Sequence, residues 1–238
     1  MELLSRLGES YEEYQPYLSD IIIRVRRVAI VFMLAFIIGF ACAAPAVRAI
    51  IFSLDLQSVT VVVTSPFQLF NLSVSIAGMI AAAISVPYLI WNLYAFLRPG
   101  LTRTEVISAF KIIPLSVVLF LAGAAFGAIS LYWGLAVMAK QAALFGLQNF
   151  WDVGTFISQI ITTASLLGII FQFPIVLGLL FKAGVLEYSH FAGKRPIVYA
   201  STLILVAILP PSDGISLIIM TLPIILLYEL TLVIYRRK

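Results

Sequence analysis

The side chains in this sequence best suited to recognising a cation are two carboxylates beside apolar runs, Asp20 and Glu105. Glu105 closes the polar break Arg98-Pro99-Gly100-Leu101-Thr102-Arg103-Thr104-Glu105, and Asp20 comes just before Arg24, Arg26 and Arg27. A carboxylate accepts two parallel charge-assisted hydrogen bonds from a planar guanidinium, a geometry that an ammonium does not reproduce. Arginine-bearing partners are the ligands these positions favour. Each carboxylate also has a plainer role open to it. Thr102-x-x-Glu105 has the spacing of a capping box at a helix start, where a carboxylate also suits the helix dipole. Asp20 stands four residues before Arg24 and can pair with it on one helix face.

Groups for catalysis or metal binding are scarce. His190 is the only histidine and lies in a charged loop, and Cys42 is the only cysteine, so an internal disulfide and a thiolate metal site are both excluded. The sequence contains no His-Glu-x-x-His helix, no nucleophile-base pair and no buried aspartate pair, which argues against an intramembrane hydrolase. A phosphate-binding Gly-Lys-Ser/Thr loop is missing too, so nucleotide hydrolysis is not expected. The expectation is a protein that is not an enzyme and that holds neither cofactor nor metal. No basic run interleaved with aromatics points to nucleic acid.

What must position these groups is a set of membrane helices. Of 238 residues 62% are hydrophobic and only 11% charged, and the mean hydropathy is +1.10, so a water-soluble domain with a charged surface is excluded. An apolar helix of about 20 residues crosses roughly 30 Å of hydrocarbon. The pattern predicts an all-α integral membrane protein, one domain over residues 1–238, with six spans at about 21–44, 67–96, 110–138, 156–181, 197–209 and 215–235. Residues 1–20 read as an amphipathic interfacial segment interrupted by Pro16. Nothing in the mixed-charge amino terminus resembles a removable signal peptide. Residues 45–65, with the β-prone run Val59-Thr60-Val61-Val62-Val63, read as an ordered external loop, and the stretch holding Lys140, Leu144, Phe150, Trp151 and Asp152 as an interfacial helix.

Prolines 87 and 114 fall inside the second and third spans and should bend them. Gln172 precedes Lys182 by ten positions, which puts it about 15 Å inside the bilayer, where its amide needs a partner. Glu229, seven residues before Arg236, should reach toward the interface or pair with a base. The fifth span has only 13 apolar residues before Pro210-Pro211, about 20 Å as a helix. It should fall short of an unperturbed bilayer and thin it locally, and the sixth is expected to be short as well. Of the 15 Lys and Arg residues, all but Arg48 and Lys140 fall on one side of this arrangement. By the positive-inside rule both termini are cytoplasmic.

Several motifs together resemble the TatC family, the multispanning subunit of the twin-arginine protein translocase. They are Ser65-Pro66-Phe67, Pro87-Tyr88, Tyr94-Ala95-Phe96, Pro99-x-Leu101, Glu105, Gly168-x-x-Phe171-Gln172-x-Pro174, Lys194-Arg195-Pro196, Pro210-Pro211 and Leu227-Tyr228-Glu229. Three departures stand out. Tyr17-Leu18-Ser19-Asp20-Ile21-Ile22-Ile23-Arg24 carries a carboxylate one methylene shorter than the family's glutamate and Ile22 in place of an arginine. Gln172 stands where glutamate is frequent. In Pro210-Pro211-Ser212-Asp213 the external carboxylate is displaced by one residue.

The resemblance implies a multi-pass protein of the cell membrane that binds the paired-arginine signal peptides of folded precursors. Glu105, Asp20, Phe96 and Arg103 would form the binding site, and Gln172 would be the polar group within the membrane. It further implies TatB-like and TatA-like single-span partners, homo-oligomers in the receptor complex, and transport driven by the protonmotive force. The rival reading is a small-solute secondary transporter. That reading needs a cluster of ionisable groups at mid-depth, where the sequence offers the neutral Gln172, and the absence of an internal repeat weakens it further.

Overall fold

A computed structural model of the chain describes residues 2–53, 65–100, 111–144, 153–209 and 214–236. Among these, every regular element is a helix: α1 Glu2–Ala41, α2 Ala43–Ser53, α3 Pro66–Leu97, a 3-10 turn Arg98–Gly100, α4 Ile112–Leu144, α5 Val153–Ile170, α6 Phe173–Lys182, α7 Tyr188–Gly193, α8 Arg195–Ala207 and α9 Gly214–Tyr235.

Among the described residues four stretches are long and apolar enough to cross a membrane: Phe67–Leu97, Ile112–Gly134, Gly154–Lys182 and Ser216–Tyr235. Large apolar side chains point outward all along them, Phe67 being 76% exposed and Ile218 65%, as hydrocarbon solvent permits and water does not. In α1 the uncharged stretch begins only after Arg27. At 13 residues, α8 is as short as the sequence suggested, about 20 Å. The sixth expected span is not short: α9 has 22 residues, about 33 Å.

Other expectations need correction. The helix α1 runs unbroken through Pro16, so the interfacial segment and the following apolar stretch are one element. The first nine residues of the expected external loop are helical, because Ala43–Ser53 forms α2 with Pro45 in its first turn, where no intrahelical N–H is lost. The β-prone run Val59–Val63 lies outside the described residues. Pro114 sits in the first turn of α4, a position that costs no hydrogen bond. That helix continues past Lys140 to Leu144, so these two residues extend it and do not start a separate interfacial helix. Pro87 is enclosed in a continuous α3.

Small residues bring these helices together. A Cβ added to Gly39 of α1 would lie 3.0 Å from the Cα of Ala77 of α3, and one on Gly127 of α4 would lie 3.0 Å from the Cα of Ala164 of α5. Gly123 is tighter still, its place for a Cβ being 2.6 Å from the Leu167 carbonyl oxygen. Inside a bilayer, where burial against another apolar helix gains little over lipid, such close backbone contact is the main source of attraction. One core cluster, with Leu131, Leu167, Phe171, Val206, Met220 and Ile224, ties α4, α5, α8 and α9 together. Another, with Ile90, Tyr94, Leu97, Ile175 and Leu179, fixes the end of α3 to α6.

The α4–α5 contact is therefore expected to be sensitive to a single methyl group. Gly123→Ala should destabilise the detergent-solubilised protein by about 1–3 kcal/mol through overpacking. Gly78→Ala, whose added Cβ meets no atom within 4 Å, should be neutral or slightly stabilising. Equilibrium unfolding in mixed micelles measures both.

Candidate functional site

The fourth span is two helices rather than one. Pro174 has no N–H to give to the Ile170 carbonyl, and here, unlike at Pro87 in α3, the helix is interrupted at Phe171 and Gln172. Local bonds take over: the Gln172 N–H donates to the Ile169 carbonyl at 3.0 Å, and the Ile175 and Val176 N–H groups donate back to the Gln172 carbonyl at 2.9 and 3.1 Å. Gln172 thus becomes the residue from which α6 starts.

Its side chain is buried, 3% exposed, and finds its partner on α4. The Ser116 hydroxyl donates to Gln172 Oε1 at 2.6 Å, while Gln172 Nε2 donates to the Ser116 carbonyl at 3.1 Å and to the Gly168 carbonyl at 3.3 Å. The amide is a clasp between α4 and the helix break. Ser116 is itself fully buried. A second polar contact joins α3 and α5, where Ser75 and Ser158 hydroxyls lie 2.6 Å apart and Thr162 donates to Ser75 at 3.2 Å.

Beside the break, α3, α5, α6, α8 and α9 enclose an open groove of about 480 Å³. Its walls are apolar, with Val86, Ile90, Ile169, Phe173 and Leu205 among them, and Gln172, Ser201 and Thr202 supply the polar points. Tyr228, also in the wall, donates its hydroxyl to the Phe191 carbonyl at 2.8 Å and so ties α9 to α7.

Asp20 does pair with Arg24, whose Nε lies 2.8 Å from Asp20 Oδ2. Arg24 also donates from Nη1 to the Asn92 carbonyl at 3.4 Å, and Asn92 Nδ2 donates to the Tyr88 carbonyl at 2.8 Å. Through Arg24 the carboxylate is held beside the last turns of α3. Phe96, half-buried, packs in the cluster of Ile90, Tyr94, Leu97 and Ile175 at that same end. The ion pair is a single-point contact with both side chains partly exposed, a kind that contributes about 0–1 kcal/mol. Among the described residues no donor reaches Asp20 Oδ1. Glu105, Arg103 and Asp213 lie outside the described residues, as does the turn Pro210-Pro211.

Glu229 has the basic partner that its position called for. Arg195 Nε donates to Glu229 Oε1 at 2.9 Å, and the Tyr199 hydroxyl donates to the same oxygen. The start of α8 is thereby fixed to α9.

Residues 16–223 match the family model described as Sec-independent protein translocase protein (TatC). The chain belongs to the TatC family. Among relatives, the TatC protein of Listeria innocua serovar 6a is 26% identical over 223 residues, covering 92% of this chain and 89% of that protein. TatCy of Bacillus subtilis strain 168 is 25% identical over 235 residues, covering 97% and 91%. Among solved structures, the twin-arginine translocase receptor TatC crystallised in DDM superposes with a TM-score of 0.76 at 25% identity, covering 91% of this chain and 98% of that one. This TatC-family chain is thus a multi-pass membrane protein of a translocase, a transport subunit.

Ser116 and Asn92 are the residues that sequence reasoning passed over. A lone serine in the apolar run Ile112–Leu121 and a lone asparagine five residues after Pro87 were the available signals. The clasp predicts coupling: Ser116→Ala and Gln172→Leu should each destabilise the protein, and the double variant should fall short of their sum by about 0.6–1.7 kcal/mol. A double-mutant cycle on equilibrium unfolding measures that difference.

Proposed function

We propose that this TatC-family chain is the receptor subunit of a twin-arginine translocase, binding paired-arginine signal peptides through Asp20 and Glu105, with Phe96 and Arg103 beside them. It is read as a single six-span domain in the cell membrane, N-in and C-in, with α1 and the short α8 joining the four long spans. Single-span TatB-like and TatA-like subunits and further copies of this chain are its proposed partners, and the protonmotive force its proposed energy source.

The observation that carries this reading is the position of Asp20. Arg24 draws it to the end of α3 that holds Phe96 and leads into the segment bearing Glu105. A weak, single-point ion pair suits exchange, because an incoming guanidinium can take Oδ1, which no described donor reaches, or displace Arg24 at little cost. The groove supports the reading as well: Ile90 in its wall lies six residues from Phe96, about 9 Å along α3, so an apolar stretch following the arginines has a nearby surface. Gln172, being neutral and already engaged by Ser116, serves here as structure, which disfavours a solute pathway through mid-depth charges.

Glu105→Gln combined with Asp20→Asn is expected to weaken binding of a cognate signal peptide by at least tenfold in purified, folded protein. Each buried or aligned carboxylate–guanidinium contact contributes about 1.5–3 kcal/mol. Fluorescence anisotropy of a labelled peptide checks this, and unchanged affinity in the double variant would reject the proposal.

A further inference from the structure

On the far side of α6 and α9 from the groove already described, α4, α6 and α9 leave a second, smaller groove of about 270 Å³. Leu119, Ile175, Leu179, Leu227 and Ile234 make its walls, and Lys182 is the one charged residue lining it. A volume this small accepts a flexible chain and not a helix about 10 Å across. Leu115 and Ile234 at its rim are exposed, 47% and 62%, so it opens onto hydrocarbon.

Its polar end is basic. Lys182, in the last turn of α6, is partly buried with Nζ 6.0 Å from the Tyr235 ring centroid. No carboxylate among the described residues pairs with it. Lys111 immediately precedes α4 and Arg236 immediately follows α9, both exposed, so three helices bring a cation to this one end. The acid of α9, Glu229, is engaged by Arg195 and Tyr199. An apolar slot ending in bases that no described carboxylate pairs matches one ligand class, a lipid with an anionic headgroup.

We propose that this groove binds one anionic phospholipid, an acyl chain lying along Leu119, Ile175 and Ile234 and the phosphate on Lys182. Placing that lipid in the cytoplasmic leaflet rests on the orientation proposed above; the binding itself does not. A lipid so held would brace α9 against α4 and α6, which otherwise meet along an incomplete seam.

Native mass spectrometry of the full chain in detergent, with equimolar phosphatidylglycerol and phosphatidylcholine, tests it. The unaltered protein should retain one phosphatidylglycerol in preference. Lys182→Gln should lower that retention about fivefold, the factor expected for one base at an anionic headgroup, and Lys182→Arg should restore it. Leu119→Trp, filling the slot, should lower retention with Lys182 in place, whereas Lys194→Gln, an exposed base elsewhere on that side, should change nothing. Equal retention of the two lipids, or equal losses from the Lys182 and Lys194 variants, would overturn the site. Should the tryptophan variant fail to fold, the Gln and Arg pair at position 182 still decides. Micelles have no sides, so a wrong orientation would show separately, in cysteine labelling from each face of the membrane.

Discussion

Hydrocarbon offers no hydrogen-bond partners, and the most consequential feature of this fold, the break at Phe171 and Gln172, depends on how that lack is met. Pro174 follows the interruption in the first turn of α6, the local turn re-pairs the backbone, and Ser116 receives the side chain that the interruption leaves at depth. Without the Ser116 hydroxyl, Gln172 Oε1 would lose its donor where desolvation costs most, while Nε2 would keep its backbone carbonyls. Beside the break a groove opens against α3, α8 and α9.

Close packing makes the clasp possible. Gly123 and Gly127 let α4 settle against Leu167 and Ala164, and Phe120 lies against Gly168, one turn from Gln172. Ser116 can meet the amide at 2.6 Å because the backbones around it are already this near. At the end of the bundle where Lys182, Arg195 and Arg236 gather, the logic reverses. Partly exposed ion pairs such as Asp20–Arg24 and Arg195–Glu229 hold elements in place but contribute little each. Under the proposed reading that weakness is useful, since a carboxylate already satisfied by a strong internal partner would not exchange it for a visiting arginine. The surrounding excess of Lys and Arg repels such a visitor at long range, and screening confines that repulsion to about 8–10 Å. Recognition would rest on the local pocket.

Much of this was legible in the sequence because membrane spans are set by length and hydropathy. The positions of the four long spans, the 13-residue length of α8, the Asp20–Arg24 pair and the need of Gln172 for a partner all follow from spacing. Identities across helices did not follow. Nothing in the order of residues says that Ser116 meets Gln172 across 56 positions, or that Arg24 reaches Asn92, since both depend on rotation about helix axes that packing alone decides. Proline was misjudged at 16 and 114 for different reasons. At 16 the helix continues despite the missing donor, and at 114 the residue lies in a first turn that has no bond to lose. For the candidate site, Asp20 and Phe96 are brought to one end of α3, while Glu105 and Arg103 remain known from sequence alone.

The measurement that bears most directly on arginine recognition is site-specific photocrosslinking. A crosslinker placed at position 96, and separately at 105, would be challenged with a signal peptide bearing paired arginines and with the same peptide carrying lysines. Carboxylate recognition of the guanidinium fork predicts strong crosslinks to the arginine peptide and weak ones to the lysine peptide from both positions. Equal yields from the two peptides would contradict it.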